Sequence, residues 1–128
     1  MGRAMAPVSV LLVEDEELIS HLVADWLSER GFAVHEAASA DEALRYMEAG
    51  EPVDVLFTDV NLPGGMDGAE LAQWARARRP ELPVVYASGR YLPSDLGTMV
   101  PRSIFVSKPY NPEDLCTLLE RLTAARRH

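Results

Sequence analysis

Carboxylates, a hydroxyl and an amine recur in this chain at one kind of place, just beyond a short apolar run. Glu14-Asp15 follows residues 8–13, Asp59 follows residues 53–57, Ser88 follows residues 84–87, and Lys108-Pro109 follows residues 104–106. Brought together, these groups have what phosphoryl chemistry on a carboxylate needs. A carboxylate oxygen that attacks phosphorus gives an acyl phosphate, a covalent intermediate that water can later cleave. Three crowded carboxylates raise one another's pKa. A hard divalent cation removes that conflict, and Mg²⁺ prefers carboxylate, carbonyl and water oxygens. Such an ion also neutralises charge developing during in-line transfer. Lys108 offers a compact positive charge to a second phosphoryl oxygen, and Ser88 offers a hydrogen bond to a third.

The runs explain how these groups could meet. Each is β-branched or aromatic and nearly continuous, as in strands buried on both faces of a parallel sheet. Ligands of open α/β sheets bind outside the carboxyl ends of the strands, so the four sites are expected to share one edge. Residues 16–30 read as a helix with Leu18, Ile19, Leu22, Val23, Trp26 and Leu27 on its inward stripe, ended by Gly31. Residues 32–37 are a second strand. Ser39-Ala40-Asp41-Glu42 reads as a capping box opening a short helix to Ala49, before Gly50. Residues 53–58 are the third strand, and residues 62–68, with one proline and three glycines, are a loop. Residues 69–79 are a helix with Leu71, Trp74 and Ala75 inward and Pro80 beyond its end. Residues 84–87 and 103–106 complete five strands. Asn111 caps the last helix, Pro112 takes its first position, and Glu113 and Asp114 suit its positive end. Leu115, Leu118, Leu119 and Leu122 face the core. The expected fold class is α/β, a five-stranded parallel sheet with helices on both faces.

Residues 90–102 depart from this rhythm. Pro93, Gly97 and Pro101 fall four residues apart. Gly97 costs about 1 kcal/mol relative to Ala in a helix, and Pro101 drives Val100 toward extended backbone. A short or irregular helix, or a loop, is expected there.

The 128 residues suffice for one domain with one core. Net charge is 12 − 20 = −8, which disfavours direct nucleic-acid binding, since that relies on basic surface. No apolar run approaches the roughly 18 residues of a membrane span, and the start of the chain lacks a secretory signal, so no membrane insertion is expected. A single cysteine, Cys116, rules out an intrachain disulfide and fits a reducing, cytoplasmic setting. Cys116 reads as a packing residue, and Arg76, Arg78 and Arg79 read as a solvated helix end. His21 and His35 have no nearby cysteine or second histidine to suggest a metal site.

At this point the chain resembles a receiver domain of the response-regulator family. The pieces that carry the resemblance are VLLVEDE, DVLFTDVNLPGGMDG, PVVYASG and FVSKPY, in that order. The resemblance implies a flavodoxin-like, doubly wound (βα)5 fold of strand order 2-1-3-4-5. It implies a two-component signal-transduction receiver over residues 5–125, a single domain without an output domain, whether stand-alone or cut from a hybrid kinase. It implies transfer of a phosphoryl group from a histidine kinase or histidine phosphotransfer protein, with Mg²⁺ as cofactor and a downstream protein of unknown identity. By this resemblance Asp59 is the phosphoacceptor. Asp15 is a direct metal ligand together with Asp59, Glu14 acts through water, and Asn61 lends its backbone carbonyl. Ser88 and Lys108 contact the phosphoryl group, and Ser88 with Phe105 forms the switch. YASGRY, residues 86–91, also resembles a subgroup in which the fourth helix is reduced, although Arg90 departs from its usual apolar residue.

Each piece alone has a plainer reading. Glu14-Asp15 could begin a helix, Asp59 could start a turn, Ser88-Gly89 is common loop composition, and Lys108 could be solvated. Four such coincidences at strand ends would be required together. A different class is an enzyme, a phosphatase using an aspartyl-phosphate intermediate. Such hydrolases need a second acid just beyond the nucleophile, and Asn61 at that place cannot transfer a proton. The expectation is therefore a phosphoacceptor that catalyses its own modification, with no separate substrate. A phosphorylation-independent relative of receivers is disfavoured by the complete set of groups.

Overall fold

The computed structural model describes residues 7–89 and 99–124. Five strands alternate with four helices among them: β1 (Ser9–Val13), α1 (Glu17–Glu29), β2 (Ala33–Ala37), α2 (Ala40–Glu48), β3 (Val55–Asp59), α3 (Gly68–Arg78), β4 (Val84–Ser88), β5 (Ser103–Ser107) and α4 (Pro112–Ala124). All strand pairs are parallel, in the order β2-β1-β3-β4-β5. The expected fold class and strand order are both present. The reading of residues 90–98 lies outside the described residues; residues 99–102 carry no helix.

The central strands are apolar throughout because both their faces are covered. β3 and β4 are buried at every position. Leu11, Val13, Leu56, Val84 and Tyr86 pack toward α2 and α3 with Ala43, Leu71 and Ala75. Val10, Leu12, Phe57, Val85 and Ala87 pack toward α1 and α4 with Val23, Leu27, Leu115 and Leu119. Alternate residues of one strand thus feed two cores.

The helix boundaries follow local chemistry. Asn111 Oδ1 accepts from the backbone N–H of Glu113 at 2.8 Å and of Asp114 at 3.2 Å. Ser39 Oγ accepts from Glu42 N at 3.2 Å, but the Glu42 carboxylate reaches Ala38 N rather than the cap residue itself. Gly31 and Gly50 adopt φ of 94° and 82° after α1 and α2, the left-handed turn that favours glycine at a helix end. No helix among the described residues is long and apolar enough to cross a membrane.

Three expectations are corrected. The inward stripe of α1 is not centred on Leu18 and Leu22, which are 80 % and 49 % exposed. The helix is rotated so that Ser20, Val23, Ala24 and Leu27 are buried. Ser20 is accommodated because its hydroxyl donates to Glu36 Oε1 at 2.7 Å. Gly68 belongs to α3 and not to the loop: Asp67 and Glu70 form a reciprocal capping box that opens the helix at residue 68. Arg76 and Arg79 are half-buried and bonded rather than solvated. The Arg76 guanidinium donates to the carbonyls of Leu82, Pro101 and Arg102 and ties α3 to the entry of β5, and Arg79 Nη1 donates to the carbonyl of Val53.

Candidate functional site

Glu14 and Asp15 leave the end of β1, Asp59 is the last residue of β3, Ser88 the last of β4, and Lys108 follows β5. The parallel order sets these ends side by side. Asp59 lies opposite Ala87, Val60 N donates to Ala87 O at 3.0 Å, and Lys108 N donates to Ser88 O at 3.0 Å. A cleft of about 320 Å³ opens there, lined by Asp15, Glu16, Asp59, Asn61, Ser88, Gly89 and Lys108.

Lys108 organises the charges. Its Nζ donates to Glu14 Oε1 at 2.9 Å and to Asp59 Oδ2 at 3.1 Å. Asn61 N donates to the other oxygen of Asp59 at 3.2 Å, so the Asp59 carboxylate is held at both oxygens. Glu14 is buried, and its second oxygen accepts from Glu16 N at 3.1 Å. Burial pushes the Glu14 carboxyl above its ordinary value, against the hydrogen bonds from Lys108 and Glu16 that pull it down. Burial also pulls the Lys108 ammonium down, but its two carboxylate partners outweigh that and hold it above the usual lysine range. Asp15, by contrast, is exposed at the mouth.

The acids fit a hard cation. Carboxylate oxygens of Glu14, Asp15 and Asp59 lie within 4.8 Å of one another, and an all-oxygen donor set suits Mg²⁺ rather than a softer metal. The main cause of the Glu14 shift differs from the expectation: desolvation leads, and the neighbouring Asp59 charge comes last.

The structure brings Asp15, Asp59, Asn61, Ser88 and Lys108 into one cleft, with Glu14 beneath it. Phe105 is elsewhere. It is half-buried on the α2–α3 face, opposite Tyr86 in the β4–β5 register. Sequence reasoning missed Thr58, whose buried hydroxyl donates to the Asp59 carbonyl at 2.9 Å. A threonine inside an apolar strand carries no signal of such a role. It also missed an apolar groove of about 380 Å³ beside the cleft, lined by Ile19, Leu22, Val23, Trp26, Lys108, Pro109 and Tyr110. The exposed leucines of α1 were the available clue, but periodicity assigned them to the core.

Comparison with known proteins agrees with this geometry. The family model for the response regulator receiver domain matches residues 10–120. The sensor kinase CckA of Brucella abortus is 36 % identical over 122 residues, which cover 89 % of this chain and 12 % of that protein. The nitrogen assimilation regulatory protein NtrX of Azorhizobium caulinodans is 36 % identical over 115 residues, covering 88 % of this chain and 25 % of that protein. The chain thus spans a quarter or less of the length of these two relatives. Among solved structures, a response regulator receiver protein from Sinorhizobium medicae superimposes with a TM-score of 0.89 at 30 % identity, covering 96 % of this chain and 99 % of that one. The receiver domain of a hybrid histidine kinase CckA superimposes with a TM-score of 0.77 at 31 % identity, covering 90 % and 98 %. With the fold, the strand-end cleft and the family match over residues 10–120 in agreement, this chain belongs to the response-regulator receiver domain family.

Proposed function

We propose that Asp59 is the phosphoacceptor of this receiver. The observation that carries the reading is the Asp59 carboxylate itself, buried at a strand end and held between Lys108 Nζ and Asn61 N. An Asp59 oxygen attacks the phosphorus of a phosphohistidine. The O–P bond forms as the P–N bond breaks, and the leaving imidazole keeps the electron pair and takes up a proton. Lys108 and Ser88 then contact phosphoryl oxygens. Asp15, Asp59 and the Asn61 carbonyl would hold Mg²⁺, with Glu14 acting through water. When bound, the ion supplies a positive charge for the developing phosphoryl oxygens. Ser88 and Phe105 shift as the new charge biases a two-state element. Residues 5–125 act as one unit in the cytoplasm, without a separate substrate.

The donor is a histidine kinase or histidine phosphotransfer protein. It rests on the groove beside the cleft, where Leu22 is half-exposed and Leu18 nearby is largely so. A helix presenting apolar side chains suits such a groove.

The test is labelling with acetyl phosphate or a phosphorylated kinase in the presence of Mg²⁺. The protein is expected to gain one base-labile phosphoryl group, and Asp59→Asn to gain none. Undiminished labelling of the variant would remove Asp59 from its role.

A further inference from the structure

Gly68 opens α3 beneath the cleft and is buried. Unlike Gly31, Gly50 and Gly64, it does not have a positive φ, so its backbone conformation does not call for glycine. What calls for glycine is space. A Cβ at residue 68 would overlap the carbonyl oxygen of Asp59 and lie 3.0 Å from Val60 Cα. The obstacle is main chain, which cannot swing aside as a side-chain tip can. Nor can the helix easily retreat. Gly68 N donates to Val60 O at 3.0 Å, Asp67 and Glu70 close the capping box, and Leu71 and Ala72 are fully buried one turn on. The same Asp59 carbonyl accepts the Thr58 hydroxyl at 2.9 Å.

We propose that Gly68 is a positioning residue for Asp59: the bare first turn of α3 and the Thr58 hydroxyl grip the Asp59 carbonyl between them and so aim its carboxylate. The inference rests on Asp59 being the phosphoacceptor. A tilt of the peptide after Asp59 turns its Cα–Cβ bond. The same tilt moves Asn61, whose amide steadies Asp59 Oδ1 at 3.2 Å and whose carbonyl is a proposed metal ligand. A displacement of the reacting oxygen is costly even when every reacting group is present, since transfer needs a near-attack geometry.

Gly68→Ala tests this directly. The variant is expected to keep its circular-dichroism spectrum, to label from acetyl phosphate about tenfold or more slowly, and to bind Mg²⁺ more weakly by calorimetry. Ala72→Gly, on the same helix but away from Asp59, lowers stability and is expected to leave both readouts as in the unaltered protein. If Gly68→Ala does not fold, Thr58→Val removes the other half of the grip at nearly constant shape. It is expected to slow labelling about threefold or more. A folded Gly68→Ala with unchanged labelling rate and Mg²⁺ affinity overturns the proposal. So does an unaffected Thr58→Val where Gly68→Ala fails to fold, or an Ala72→Gly that loses as much as Gly68→Ala. If the unaltered protein takes no label at Asp59, the phosphoacceptor reading fails instead, and the Mg²⁺ comparison still decides whether Gly68 positions the carboxylate.

Discussion

At the scale of single residues, Lys108 joins two carboxylates at the cleft. It is the cation bonded to both Glu14 and Asp59. Removing one partner of a buried pair leaves the other's desolvation uncompensated. Lys108→Met is therefore expected to destabilise the domain by about 2 kcal/mol at pH 8. The loss should be much smaller at pH 5. Glu14 already has a folded-state pKa raised above its ordinary value of 4.5. Such an acid binds its proton more tightly when folded, so stability falls as pH rises from 4.5 toward the folded value. Without Lys108 that pKa rises further and the window widens. Urea midpoints at the two pH values, measured without Mg²⁺, decide; an equal loss at both refutes the argument. Residue types and their strand-end positions made Asp59, Asp15, Ser88 and Lys108 legible as neighbours, while Asn61 came from the family resemblance alone. The sequence did not reveal that both Glu14 oxygens accept hydrogen bonds, because side-chain reach depends on backbone direction after the strand.

Among the elements, α1 shows how tertiary packing overrides a periodic pattern. Its apolar residues are wide enough around the helix to allow more than one inward face. Small residues decide between them, since Ser20 and Ala24 let the helix approach the sheet. Leu18 and Leu22 are then left outside. Exposed leucines contribute little to folding, so Leu18→Ser should change stability by less than about 0.5 kcal/mol. Docking is where the change should tell. Transfer from a phosphorylated kinase is expected to slow by more than labelling from acetyl phosphate, as measured by the ratio of the two rates in variant and parent. An unchanged ratio would take α1 out of the proposed donor surface. The starts of α2 and α4 were legible because their caps are local: Ser39 and Asn111 accept the predicted backbone donors. The Asp67 box escaped notice because glycine and proline around it argued for a loop.

For the whole molecule, one sheet divides two cores, and each contains one partly buried tryptophan. Trp26 packs against the α1–α4 core and Trp74 against the α2–α3 core. Because β3 and β4 contribute to both, the two sides should unfold together. Trp26→Phe and Trp74→Phe leave one reporter each. In each variant the fluorescence urea midpoint should coincide with that variant's own circular-dichroism midpoint. Separate midpoints would show the faces coming apart. The α/β class and the five strands were legible because buried parallel strands leave continuous apolar runs, whereas the order of the strands came from the resemblance to the receiver family and not from those runs. The course of residues 90–98 lies outside the described residues. What no pattern disclosed is the tie from Arg76 to the carbonyls of Leu82, Pro101 and Arg102. That tie restricts which changes the chain can tolerate. A lysine has one nitrogen at the tip of a flexible stem and cannot span three separate acceptors. An exchange of arginine for lysine at residue 76 would thus keep the charge and lose the tie, so charge alone does not say which substitution this position tolerates.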